Sequence, residues 1–145
     1  MKKLSVLLVF AAILLLSTGI ASAADEQVYG LFMSHMTNAF TMEMSDAVKA
    51  KADELGVKLT VYDGGKDPAK QINQMETALS QGISAIIVEP ASVDGIKPAV
   101  EAAREAGVPV VILNQKITDQ ELASCFVGVS NVDGGKMEMS AAVAD

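Results

Sequence analysis

The sequence predicts an α/β fold: a doubly wound parallel sheet with helices on both faces. Three observations predict it. Short β-rich runs alternate with longer runs whose apolar residues recur every three or four positions, the period of a helix. Gly56, Gly82 and Gly107 each sit one residue past a helical run and one before an apolar residue, 26 and 25 residues apart. A helix that ends in a left-handed residue favours glycine, which has no Cβ to clash. Evenly spaced stops therefore read as three similar strand–helix units, joined by right-handed crossovers into one sheet.

The first strand is Val28 to Met33, and a helix follows from about Ala39 to Leu55, with Met42, Ala47, Ala50 and Leu55 among its apolar positions. Val57 to Tyr62 forms the second strand. The second helix runs from about Pro68 to Ser80 and sets Ile72, Met75 and Leu79 on one face. Asp67 ahead of Pro68 is a start signal: an acceptor at the cap, then a residue with no amide to leave unpaired. Ala85 to Val88 is short and wholly apolar, as suits a strand covered on both faces. A third helix is expected from about Val93 to Ala106. Pro98 falls inside it, so either the regular helix starts only near Lys97 or it kinks there. Val108 to Leu113 is the fourth strand and Cys125 to Val129 the fifth, with Cys125 expected to be buried and inert. Gly64-Gly65 and Gly134-Gly135 read as turn elements. From Gly134 onward the residues open an amphipathic helix, and the sequence stops inside that pattern without a cap. This reads as a fragment of a longer chain.

The start of the sequence sets the compartment. Lys2 and Lys3 precede a run of thirteen mostly apolar residues, Leu4 to Leu16, and small residues lead to Ala21-Ser22-Ala23. That is the layout of a secretory signal peptide over residues 1–23, cleaved after Ala23. The apolar run is shorter than the roughly 20 residues that span a bilayer, so no stable membrane insertion is expected after cleavage. No cysteine stands at the junction to carry a lipid. A periplasmic destination follows for residues 24–145.

Removing two leader lysines takes the formal net charge from −7 to −9. An acidic body lacks the basic footprint that nucleic acid requires. Apolar content is high enough for a packed core. Cys125 is the single cysteine, so the fold rests on its core and not on disulfides.

In a doubly wound sheet, ligands bind beyond the carboxyl ends of the strands, where the strand order reverses. The loop after the first strand carries Ser34, His35, Asn38, Phe40 and Thr41. Glu89 and Pro90 follow the third strand, and Asn114 and Gln115 follow the fourth. Neither a dinucleotide glycine motif nor a lysine-bearing phosphate loop is present. The loops offer uncharged hydrogen-bonding groups and one ring, the pair that a neutral polyhydroxylated ligand needs. Phe40 can supply a flat apolar face and Asn38, Asn114 and Gln115 can supply amides. Phe40 can equally be a core residue of the first helix, and Asn38 no more than its cap. His35 is the only histidine and has no companion ligands for a metal. Asp63 and Glu89 both end strands, but the second strand lies to one side of the switch point, which argues against an acid/base pair. No cofactor and no metal are expected.

The stretch Ser34–Phe40, the run from "ADELGVKLTVYDGGKDPAKQINQ" to "EAAREAGVPVVILN" and the segment "FVGVSNVDGGK" resemble the ribose-type periplasmic sugar-binding proteins of ABC importers. The resemblance covers residues 27–145. It implies the N-terminal lobe of a two-lobed receptor that closes on its ligand and docks on a membrane permease. It also implies a ligand-binding role for the first loop, whose asparagine and stacking positions fall on Asn38, Phe40 and Thr41. The second stacking place is thus threonine. The Asp-Arg pair of ribose-type members is replaced by Asn114 and Gln115, which points to a sugar, sugar alcohol or cyclic polyol without naming one.

Four functions compete on these residues. A transport receptor accounts for both the leader and the loops. A sensing receptor, reporting to a chemoreceptor or kinase, shares the binding and differs in output. The effector lobe of a sugar-responsive repressor would carry a basic helix-turn-helix where the leader stands. An enzyme would need a nucleophile–base pair, metal cluster or phosphate loop, and the sequence presents none. A non-enzymatic receptor is expected.

Overall fold

A computed structural model describes residues 27–143, so the expected signal peptide lies outside the described residues. The elements run β1 Val28–Met33, α1 Ala39–Leu55, β2 Lys58–Asp63, α2 Pro68–Ser80, β3 Ala85–Val88, α3 Lys97–Glu105, β4 Val110–Leu113, a single 3-10 turn Gln120–Leu122, β5 Cys125–Val127 and α4 Asn131–Val143. The five strands form one parallel sheet in the order β2-β1-β3-β4-β5. The predicted α/β class and the doubly wound parallel sheet are therefore both present.

The winding reverses once. From β1 the chain steps outward to β2, then crosses back to β3 and continues to β4 and β5. Right-handed crossovers in opposite directions put their helices on opposite faces. Strand alternation feeds two cores accordingly. Phe32, Ile86, Val88, Val110 and Ile112 pack with Met75 of α2 and Val100 of α3. Leu31, Met33 and Leu113 face the other way, toward Met44 and Val48 of α1. Ile87 and Val111 on that second face are only half-buried. Leu59 and Ile87 line an apolar groove of about 370 Å³ there, with Val48 and Leu55 of α1 on its other wall.

The glycine rhythm has a specific structural basis. Gly56, Gly82 and Gly107 take φ values of 65, 80 and 72 degrees, and nothing stands within 4 Å of a Cβ at any of them. Conformation, not space, requires glycine at these three positions. After each one, the next amide reaches back five residues: Val57 to the carbonyl of Ala52, Ile83 to Ala78, Val108 to Ala103. This closes the helix in a Schellman turn. It also explains two boundary differences. Val57 and Val108 were expected to open strands, but their amides belong to the helix stops. Pro109 then has no amide for the ladder, so β4 begins at Val110.

α3 starts at Lys97 with Pro98 in its first turn, so Pro98 opens the helix and does not kink it. The residues from Val93 expected to be helical instead form a turn in which Ser92 Oγ accepts the Gly95 amide at 3.0 Å. The buried face of α1 also differs from expectation. Thr41, Ser45 and Ala52 are its buried residues, whereas Met42 and Leu55 are 48% and 62% exposed. Small polar side chains share the inward stripe with Met44 and Val48, so apolarity alone marks only part of the buried face of this helix. Cys125 is exposed, contrary to expectation, because β5 is the edge strand. Gly134 and Gly135 lie within α4 and not in a turn, while Gly65 and Lys66 do turn the chain at positive φ. No described helix is long and apolar enough to cross a membrane.

Candidate functional site

Strand order reverses between β1 and β3, so the loops leaving these two strands part there, with the β4 loop beside them. A single side chain links all three. Glu89, directly after β3, is 3% exposed. Its Oε2 accepts the backbone amide of Ser34 at 3.0 Å, and its Oε1 accepts Nδ2 of Asn114 at 3.2 Å. The floor of the candidate site is thus a carboxylate strap from the β1 loop to the β4 loop.

Glu89 is itself held from behind. Gln71 of α2 is fully buried. Its Nε2 donates to the carbonyl of Glu89 at 2.9 Å and its Oε1 accepts the amide of Ala91 at 2.9 Å. The Glu89 amide donates to the Phe32 carbonyl at 2.9 Å. Gln71 thus satisfies the two backbone groups that flank Pro90 and pins the chain directly after Glu89.

Asn114 has φ of 64 degrees, a left-handed conformation in which asparagine is tolerated better than most residues. Its amide donates to Val127 of β5 at 2.9 Å, and the Gln115 amide closes a tight turn onto Leu113 at 2.7 Å. The strained backbone aims the side chain at Glu89. Gln115 is exposed next to it. The rest of this loop is tied to the start of α3, where Lys97 reaches Asp119 at 3.1 Å and Thr118 donates to Asp94.

In the β1 loop, Asn38 caps α1. Its Oδ1 accepts the Thr41 amide at 2.9 Å and the Thr41 hydroxyl at 3.0 Å. Thr41 is buried beneath that cap, so its hydroxyl faces the helix start. Ser34 is buried and joins the strap through its backbone. His35 is half-buried and turned onto its own loop, with Nδ1 3.3 Å from the Thr37 amide and 3.0 Å from Thr37 Oγ1. Phe40 is 58% exposed, which separates it from the core.

These contacts fix a hydrogen-bond polarity. Thr41 donates to Asn38, so Asn38 must present its oxygen inward and its NH₂ outward. Glu89 accepts only, so Asn114 must present its NH₂ to Glu89 and its oxygen outward. Asn38 thus offers free N–H donors and Asn114 a free carbonyl oxygen, groups of the kind that pair with hydroxyls. Asp63 accepts the Gly65 amide at 2.8 Å in the turn after β2, apart from the Glu89 strap. Among the described residues no group of three His, Cys, Asp or Glu side chains could hold a metal.

Sequence reasoning placed Glu89 at the end of its strand but gave it no role in binding, and it passed over Gln71. Gln71 did carry a signal. It lies four before Met75 and seven before Ala78, a polar residue on the buried stripe of α2. The strap itself left no trace in the sequence, because its three members are 55 and 25 residues apart.

Residues 29–145 match the periplasmic binding protein domain, and the chain belongs to that family, one of substrate-binding proteins. It is 31% identical over 137 residues to the ribose import binding protein of Escherichia coli (strain K12), covering 94% of this chain and 45% of that protein. It is 30% identical over 123 residues to a putative rhizopine-binding protein of Rhizobium meliloti, covering 82% of this chain and 40% of that one. The chain thus spans about half the length or less of the curated relatives it matches. Among solved structures, the Caulobacter myo-inositol binding protein bound to myo-inositol superposes with a TM-score of 0.75 at 26% identity, over 87% of this chain and 43% of that one. A periplasmic ribose ABC transporter structure from Conexibacter woesei DSM 14684 shares the fold, with a TM-score of 0.77 at 24% identity over 88% of this chain and 42% of that one.

Proposed function

We propose that residues 24–145 form the N-terminal lobe of an exported, non-enzymatic receptor that captures a sugar or polyol and delivers it to an ABC import permease. The observation that carries this reading is the convergence of the β1, β3 and β4 loops on the Glu89 strap. Asn114 is held there with its oxygen unpaired, and Asn38, with its NH₂ unpaired, and the exposed Phe40 stand at the β1 loop. A hydroxylated ring asks for this set: amides for the hydroxyls and an apolar face for the C–H surface. Ser34, His35, Asn38, Phe40, Thr41, Asn114 and Gln115 are the proposed binding set. The structure suggests a division among them. Asn38, Phe40, Asn114 and Gln115 reach the ligand, while Ser34, His35 and Thr41 hold the loop in shape.

The names of relatives that bind ribose, rhizopine and myo-inositol support a polyhydroxylated ligand. The matched share of their lengths supports a second lobe closing from the far side. Residues 1–23 act in this reading as the export signal, with the mature chain starting at Ala24 in the periplasm.

Isothermal titration of the mature protein against a panel of pentoses, hexoses and cyclitols tests the proposal. Saturable heat with at least one member is expected. Silence across the panel contradicts it.

A further inference from the structure

Glu89 is a buried carboxylate whose hydrogen bonds among the described residues come from N–H groups and not from a cation. Both oxygens accept hydrogen bonds from neutral N–H groups, the pattern that an ionised carboxylate calls for. Among the described residues, the Lys–Asp and Lys–Glu pairs lie elsewhere: Lys49 with Asp46, Lys51 with Glu54, Lys97 with Glu101 and Asp119, Lys136 with Asp133. His35, the nearest titratable side chain in sequence to Ser34, turns its Nδ1 toward Thr37. The backbone of Glu89 is pinned by its amide to Phe32 and by its carbonyl to Gln71, and its side chain is held by Ser34 and Asn114. A carboxylate has about four acceptor positions, and the strap occupies one on each oxygen.

A purely structural strap does not need the charge. Glutamine at position 89 would still accept the Ser34 amide through Oε1, and its NH₂ would meet Asn114 once that amide turned over. What glutamate adds is a fixed direction for Asn114 and a negative potential at the floor of the cleft.

We propose that Glu89 is the specificity-determining residue of this cleft, its uncompensated charge selecting an amine-bearing sugar or cyclitol over the neutral parent and rejecting the sugar acid. The inference rests on the receptor function proposed above and narrows its ligand class. An ammonium group at the strap neutralises Glu89 and donates to Asn114 Oδ1 as well. A hydroxyl donates to one of them. A carboxylate meets a like charge and an outward-facing carbonyl oxygen.

The test uses the mature protein expressed from its own gene, titrated with one sugar in three forms: glucose, glucosamine and glucuronate, with the analogous hydroxyl, amine and acid cyclitols as a second series. In at least one series the amine form is expected to bind about tenfold tighter than the neutral form, and the acid about tenfold weaker than the neutral form. Glu89→Gln is expected to flatten that order, because it removes the charge and lets Asn114 reverse. Asp46→Asn, which removes an exposed acid from α1, is expected to leave the order intact. A neutral form that binds tightest, an acid that binds as well as the neutral form, or an order unchanged in Glu89→Gln overturns the proposal. The wild-type order decides the matter even if Glu89→Gln fails to fold. Absence of binding by every form in both series removes the receptor reading itself, and is distinguishable from neutral binding without amine preference.

Discussion

Gln71 Nε2 stands 2.9 Å from the carbonyl oxygen of Glu89 and donates to it, while Oε1 of the same side chain accepts the Ala91 amide at 2.9 Å. One fully buried amide thereby holds the residue on which the three site loops meet. Gln71→Leu preserves volume but strands the buried Glu89 carbonyl and the half-buried Ala91 amide. Each such group costs about 1–3 kcal/mol, so the variant is expected to lose about 2–4 kcal/mol in a urea melt. Ligand affinity is expected to fall with it. A variant as stable as the parent contradicts the clamp.

Asn38 serves helix and ligand with different atoms. Asn38→Ala removes the cap and should reduce stability by about 1 kcal/mol. Asn38→Asp keeps an oxygen for the Thr41 amide and loses the outward NH₂. Thermal melts of Asn38→Asp should therefore match the parent, while calorimetry shows weakened binding. Unchanged affinity would restrict Asn38 to capping.

Phe40 is exposed, so truncation leaves the core intact. Phe40→Ala is expected to change stability by no more than about 0.5 kcal/mol and to weaken ligand binding about tenfold through the lost ring face. A large loss of stability with unaltered affinity would return Phe40 to a packing role.

Ser45 is fully buried in α1 and its hydroxyl has no hydrogen-bond partner. Ser45→Ala removes an unpaired polar atom and raises helix propensity. A gain of about 1 kcal/mol in denaturant unfolding is expected. Destabilisation would mean that the hydroxyl is paired in solution.

Lys97 donates to Asp119, and that hydrogen bond, with the charge on Asp119, raises its pKa above the ordinary lysine value. The folded value exceeds the unfolded one. The resulting stabilisation is complete below about pH 10 and is lost as pH rises through the folded value. Lys97→Met should therefore flatten the alkaline limb of the stability profile. Both groups are partly exposed, so the difference should shrink in high salt.

Much of the fold was legible because its signals are local. A left-handed stop needs glycine, so Gly56, Gly82 and Gly107 announced three units before any contact was known. Asp67-Pro68 marked the start of α2 for the same kind of reason. Boundaries slipped where a single amide chooses between helix stop and strand, as at Val57 and Val108. Part of the inward face of α1 was missed because Thr41 and Ser45 are polar yet buried. Cys125 was misread because edge position depends on strand order, which no local pattern encodes. The candidate site could be placed as a set of loops, since doubly wound sheets bind ligands at the switch point. The contacts within it were not, because Glu89 meets Ser34 and Asn114 only once the sheet has formed.

The central claim is that ligand binds above the carboxyl ends of β1, β3 and β4. Amide chemical-shift mapping of the mature protein, saturated with the tightest sugar or cyclitol found by calorimetry, tests it most directly. Within this lobe, shifts are expected to concentrate on Ser34 to Thr41, Glu89 to Ala91 and Asn114 to Gln115, including the side-chain NH₂ groups of Asn38 and Asn114. Shifts that instead gather at the opposite ends of the strands, around Lys58, Gly82 and Pro109, would contradict the account.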